Sequence, residues 1–267
     1  MNLDFSEDEL QRYSRHILLG EVGAIGQARL RAASVLIIGA GGLGSPLLLY
    51  LAAAGVGRIG IVDDDRVEIS NLQRQIAHTT ARLGMHKTRS AAIAARELNP
   101  EVTLVEHDHR LTAENALALI AEYDIVCDGS DNFATRFLVA DAAVLARRTL
   151  VSAAVLRFEG QLAVFRPDGP CYRCLYPTAP PPGEVPSCSE AGVLGAVTGV
   201  MGALQATEVL KEITGIGESL AGRLLLWDAL APRFRTIALQ RDPDCALCGA
   251  HPTITTLATA AETVCAG

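Results

Sequence analysis

Seven cysteines include two Cys-x-x-Cys pairs, Cys171/Cys174 and Cys245/Cys248, with 70 residues between them. Upstream lie a glycine-rich run, Gly39-Ala40-Gly41-Gly42-Leu43-Gly44, and a polar run, Ser70-Asn71-Leu72-Gln73-Arg74-Gln75. Each group suits its own chemistry. Glycines let the backbone approach a phosphate chain, and a helix starting behind them offers free N–H groups at the positive end of its dipole. Four thiolates suffice for a closed, tetrahedral structural zinc site, which here would close a long loop and tie a proline-rich region to the C-terminal end. Two separate redox dithiols are the alternative; neither pair is expected to open a helix after a strand.

The glycine run binds a nucleotide only between a strand and a helix. Both are present: Ser34–Ile38 reads as a buried strand, and Ser45-Pro46 as the N-cap and first position of a helix ending at Gly55. Arg58–Val62 is the next strand, and Asp63 at its end stands 19 residues beyond Gly44, where a carboxylate accepts from ribose hydroxyls. This pattern alone separates neither NAD from ATP nor a ligand site from a plain tight turn. The following residues add a criterion. Arg74 and Lys87, with Ser70, Asn71 and Gln73 as side-chain donors, form a second polar and cationic cluster. A dehydrogenase has no use for it, whereas an enzyme that cuts a triphosphate must neutralise departing pyrophosphate.

Asp128-Gly129-Ser130-Asp131-Asn132 closes a further strand at the same sheet edge. Asp131 is the candidate magnesium ligand, since magnesium takes one or two carboxylates together with phosphates and water. Asp128 is either a second ligand or a helix cap. No histidine is expected in the constellation, which suits a carboxylate nucleophile: ionised above a pKa of about 3.5, it needs positioning and no base. Cys188, in Pro186-Ser187-Cys188-Ser189-Glu190, precedes a glycine-rich helix. It is either a nucleophile with a lowered pKa, able to accept an acyl group or sulfur, or an ordinary loop residue. Cys127 reads as core and Cys265 as incidental.

The elements that must position these groups alternate. Helix Lys87–Leu98, strand Val102–Glu106, helix Ala113–Glu122, strand Asp124–Cys127, helix Asn132–Arg147 and strand Leu150–Ala153 imply a mainly parallel sheet covered on both faces. Gln161–Phe165, Leu224–Trp227 and Thr236–Leu239 look like an antiparallel extension. The fold class is therefore α/β, a Rossmann-like doubly wound sheet with an antiparallel extension and a structural zinc site. Ser6 and Glu9 form a capping box that opens a helix through about Leu18, placing Arg12 and Arg15 on one face. Residues 1–250 read as a single domain with a helical arm over 1–31, and 251–267 as a flexible tail. Five prolines between Pro177 and Pro186 predict an exposed, mobile loop.

Hydrophobic residues make up 49% and the net charge is -7. Mean hydropathy is +0.26. A large core is implied, and a bulk nucleic-acid binder is disfavoured. The acidic start, Met1 to Asp8, has no signal-peptide character. The charge-free stretch Ala191–Thr207 falls short of the roughly 20 apolar residues of a membrane span and reads as a buried helix, its glycines suited to close packing, including across a dimer interface. A cytoplasmic protein is expected, without nucleic-acid or membrane partners.

These motifs, with Gln205-Ala206-x-Glu208-x-x-Lys211, resemble those of the ThiF/MoeB/HesA adenylyltransferases, bacterial relatives of ubiquitin-activating enzymes, over roughly residues 7–250. The resemblance implies adenylation of the C-terminal glycine of a small ubiquitin-like sulfur carrier (MoaD or ThiS type), using ATP with magnesium and releasing pyrophosphate, for molybdopterin or thiamine biosynthesis. It implies that Gly42 faces the phosphates, that Asp63 faces the ribose, and that Ser70, Asn71, Leu72, Gln73, Arg74 and Lys87 hold the triphosphate. Asp131 and Asn132 would complete the nucleotide site, with magnesium on Asp131. Arg15 matches an arginine supplied by the second subunit of a homodimer. Cys171, Cys174, Cys245 and Cys248 match zinc ligands, and Cys188 a cysteine that forms a covalent carrier adduct in some members. Ser130 stands where threonine is usual. With no rhodanese-like domain following, a separate sulfurtransferase or cysteine desulfurase is expected. An NAD-dependent oxidoreductase and a non-catalytic zinc module are the rival functions.

Overall fold

The computed structural model describes residues 3–181 and 191–257. Within them one eight-stranded sheet runs in the order β3-β2-β1-β4-β5-β6-β7-β8. The strands are β1 (Ser34–Ile38), β2 (Arg58–Val62), β3 (Thr103–His107), β4 (Ile125–Asp128), β5 (Thr149–Leu156), β6 (Glu159–Phe165), β7 (Arg223–Asp228) and β8 (Arg233–Ala238). The first five pair in parallel, and β5 to β8 pair antiparallel. The doubly wound, mainly parallel sheet with an antiparallel extension is thus as the sequence predicts.

Strands such as Ser-Val-Leu-Ile-Ile carry apolar, branched side chains at successive positions because helices cover both faces. One face holds α3 (Gly23–Ala32), α4 (Gly44–Ala54), α5 (Lys87–Leu98) and α9 (Gly195–Thr214), around Leu30, Leu47, Leu51, Ala92 and Met201. The other holds α6 (Ala116–Ala121), α7 (Phe133–Leu145) and the single turn α8 (Tyr172–Leu175), around Ile120, Phe137 and Tyr172. β8 is the edge strand at the antiparallel end of the sheet, and all six of its residues are exposed.

Three local expectations are revised. α4 starts at Gly44, inside the glycine run, with no side chain capping it; Ser45 lies in the helix and its buried hydroxyl has no partner. An uncapped start leaves first-turn N–H groups available to a ligand. The N-terminal helix is broken at Tyr13 into α1 (Glu7–Arg12) and α2 (Ser14–Ile17), although the Ser6–Glu9 capping box is present. Tyr13 is pulled into the core, where its hydroxyl accepts from Asn99 Nδ2 at 2.9 Å. Arg12 then donates to Leu98 O while Arg15 is exposed, so the two do not act as one face.

Two α9 glycines make close contacts within the chain, in line with the expected close packing, while the space beside Gly199 is open. A β-carbon on Gly202 would lie 2.5 Å from Leu43 O, and one on Gly195 would lie 2.3 Å from Gln73 O. Lastly, residues beyond His251 are held as far as they are described, since Ile254 and Leu257 are buried. No helix among the described residues is long and apolar enough to cross a membrane.

Candidate nucleotide cleft and thiolate clip

β1, β2, β3 and β4 all end at one edge of the sheet, and the order reverses between β1 and β4, where open α/β sheets hold ligands. A cavity of about 200 Å³ lies there. Gly39 turns the chain off β1 with φ +92°, a left-handed conformation suited to glycine. At Gly44 a β-carbon would sit 1.9 Å from Gly39 O, so the turn can close only without one. Gly41 and Gly42 line the cavity.

Asp63 closes the turn from β2. Its Oδ2 accepts from Ala40 N at 2.8 Å and its Oδ1 from Asp65 N at 2.9 Å. Burial pushes its carboxyl above the ordinary value; the Lys87 ammonium and the two backbone donors oppose that. Lys87 itself is buried at the start of α5, its Nζ 2.7 Å from Asp65 Oδ2. His78 supports the turn from behind. Its Nε2 lies 2.9 Å from Ala40 O, and its Nδ1 lies 2.9 Å from Ser90 Oγ. A carbonyl can only accept, so Nε2 carries a proton. Desolvation lowers its pKa, with Lys87 and Arg82 adding to the effect.

Arg74 lines the cavity, one guanidinium nitrogen donating to Ser70 O at 3.2 Å. Ser70, Asn71, Leu72 and Gln73 are not among its lining residues. They build the turn that carries Arg74: Glu68 and Asn71 cap each other reciprocally, and Ser70 Oγ bonds Glu68 at 3.3 Å. Opposite, Asp131 and Asn132 line the cavity and are exposed, with Asn132 Oδ1 capping α7 through Thr135 N at 2.8 Å. Asp128 is fully buried. It accepts from Ser130 N, Ser130 Oγ and Ser152 Oγ, and Arg136 Nε stands 3.4 Å away. It therefore organises its own loop and does not cap a helix.

Three residues missed in the sequence join this lining. Gln75 is 4% exposed with its Oε1 unpartnered, and His109 and Arg110 follow β3. The expectation of no histidine there is thereby corrected: His109 is in the wall and His78 behind the turn. His109 and Arg110 lie just past the strand predicted to end at Glu106, but that this strand end adjoins the glycine turn follows only from the strand order. Arg15 lies elsewhere. Tyr13 packs on Gly55 at the far end of α4, about 16 Å from its start at 1.5 Å per residue. Cys188 lies outside the described residues.

The four remaining site cysteines converge. Their sulfurs all lie within 4.8 Å of one another, with Cys171–Cys174 at 3.8 Å, Cys171–Cys245 at 3.6 Å and Cys174–Cys248 at 3.4 Å. Sulfurs at the corners of a tetrahedron around zinc, each bonded at about 2.3 Å, stand about 3.8 Å apart, so the thiol set fits that ion. One cluster of four replaces the alternative of two separate dithiols, even though Cys171 does precede the helical turn α8. Arg173, between the first pair, is 1% exposed and makes a bidentate pair with Asp141 of α7 at 2.7 and 2.8 Å.

Sheet order, a cleft at the switch point and a cluster of four thiols define a Rossmann-like α/β protein with a site able to hold a metal ion. The chain belongs to the ThiF family, whose model matches residues 13–247. It is 58% identical to the bovine (Bos taurus) adenylyltransferase and sulfurtransferase MOCS3 over 94% of this chain and 56% of that protein. It is 52% identical to the sulfur carrier protein adenylyltransferase of Thermus thermophilus, over 93% of this chain and 94% of that one. The chain thus spans about half the length of the longer curated relatives it matches. Among solved structures, Escherichia coli MccB with MccA-N7isoASN superposes with a TM-score of 0.80 at 24% identity, over 89% of this chain and 74% of that one, a likeness of fold.

Proposed function

We propose that this protein adenylates the C-terminal glycine of a small ubiquitin-like sulfur carrier of the MoaD or ThiS type, with ATP as the adenylyl donor. The observation carrying this is that Arg74, Lys87 and Asp131, from three separate segments, meet around the glycine turn. The relatives' names support the substrate class.

In the reaction, a carrier carboxylate oxygen attacks the α-phosphorus. An acyl–O–P bond forms, the P–O bond to the β-phosphate breaks, and pyrophosphate leaves. No proton transfer is needed. The uncapped start of α4 and Gly42 face the phosphates, and Asp63 faces the ribose at the end of β2. Arg74 and Lys87 neutralise charge growing on the leaving group, Lys87 exchanging Asp65 for phosphate oxygens. Ser70 to Gln73 hold Arg74 in place. Asp131 would hold magnesium, as its exposed carboxylate on the cleft wall allows; when bound, that ion offsets triphosphate charge.

Arg15 is not among the residues lining its own cleft, and its neighbour Tyr13 packs at the far end of α4. That placement supports a homodimer in which each chain lends Arg15 to its partner. Cys171, Cys174, Cys245 and Cys248 hold a structural zinc. A reduced, cytoplasmic setting suits these free thiols, and a separate sulfurtransferase or cysteine desulfurase would convert the acyl adenylate to a thiocarboxylate. Residues 1–250 act as one adenylation unit.

The test is exchange of labelled pyrophosphate into ATP. Exchange that depends on a MoaD- or ThiS-type carrier is expected. No exchange with any such carrier, or NAD binding tighter than ATP with magnesium, would overturn the assignment.

A further inference from the structure

Beside the nucleotide cleft lies a second chamber. It shares Asp131, Asn132 and Val155 with the cleft and extends as a cavity of about 280 Å³ between the sheet, α7 and α8. Phe133, Ala154, Leu156, Tyr172 and Tyr176 give it a mainly apolar wall, and Gln161 faces them from β6. An acyl group attacking an α-phosphate beside Asp131 must reach it from a space adjoining the cleft. This chamber is such a space.

Its wall is rigid. The Tyr172 ring meets Phe137 edge-on, with centroids 5.2 Å apart, and Phe165 likewise at 5.9 Å. Tyr176 packs on Tyr172 at 5.1 Å, and its hydroxyl donates to Gln161 Oε1 at 3.0 Å. Gln161 is fixed in turn by the ladder, opposite Ala154 of β5 and Leu226 of β7. Behind Tyr172 and Tyr176 stands α8, anchored at both ends by cysteines of the clip and at its middle by the Arg173–Asp141 pair. Close-packed side chains of this kind do not yield to one extra methyl group without cost.

We propose that Tyr176, braced by Tyr172 and Gln161, is the size-selecting wall of the chamber that receives the substrate's C-terminal end, admitting a residue without a side chain and rejecting larger ones. The proposal rests on the adenylation reading above and adds the residue that enforces the choice of glycine. The thiolate clip acquires a second role in it, holding that wall at a fixed depth.

The experiment compares pyrophosphate exchange for native MoaD- or ThiS-type carrier with exchange for the same carrier changed Gly→Ala at its C-terminus. Unaltered protein should prefer glycine by about tenfold or more in kcat/KM, the range one methyl group gives in a fitted pocket. Tyr176→Ala should reduce that preference to about threefold or less, with ATP affinity unchanged. Gln161→Ala, which opens the chamber from the opposite wall, should relax it in the same direction and serves if Tyr176→Ala does not fold. Lost structure alone would slow both carriers together and would not improve the larger one. An unchanged preference in a folded variant overturns the proposal while leaving adenylation standing. No exchange by the unaltered protein with native carriers overturns both.

Discussion

Among the described residues the Arg74 side chain makes one hydrogen bond, to Ser70 O, and is half-buried on its turn. Arg74→Ala should therefore leave the fold intact while lowering pyrophosphate exchange about 100-fold, the scale for removing one preorganised charge; thermal unfolding alongside kinetics checks both halves. His78 has the opposite character, buried and structural. Its pKa is lowered in the folded protein, first by desolvation, so the unfolded chain binds the extra proton first. The stability it contributes is full above the unfolded value of about 6.5 and is lost as pH falls toward the folded value. A melting temperature that declines below about pH 6.5, less steeply in His78→Gln, is the expected outcome. Asp63, Arg74 and Lys87 could be found in the sequence because residue type and distance from the glycine run specify them. Gln75 was harder, as a glutamine in a polar run reads as surface, and only the folded turn buries it.

Helices and strands were legible where periodicity or a proline bounds them, as at Asn99-Pro100 after α5. They were less so where a tertiary contact overrides local preference. Tyr13 breaks the first helix because its ring has a socket at Gly55. α4 begins early because glycines, free of β-carbon clashes, carry the helix back into the turn. Two α9 glycines signal close approach, but sequence cannot say to what; the partners are Gln73 O for Gly195 and the turn at Leu43 for Gly202. Gly202→Val would press on Leu43 O and Pro46 and so distort the nucleotide turn. A loss of about 1–3 kcal/mol of stability together with weaker ATP binding should follow, measurable by denaturant titration and calorimetry.

At the scale of the molecule, strand order brings four separate strand ends to one edge, and no local signal encodes that order; this is why His109 and Arg110 stayed hidden. The distance between arm and cleft makes the assembly testable. Arg15→Ala and Asp131→Asn, each inactive alone, should regain about a quarter to a half of the unaltered rate when co-refolded, if each chain completes its neighbour's site. Metal analysis should find about one zinc per chain, and chelation should lower the melting temperature. The clip also imposes an order on biosynthesis. Cys171 and Cys174 leave the ribosome roughly 4–15 s before Cys248 at 5–20 residues per second, so the nascent chain carries half a ligand set through that interval. The full set of four ligands exists only once Cys248 has emerged, after every strand of the sheet has been made.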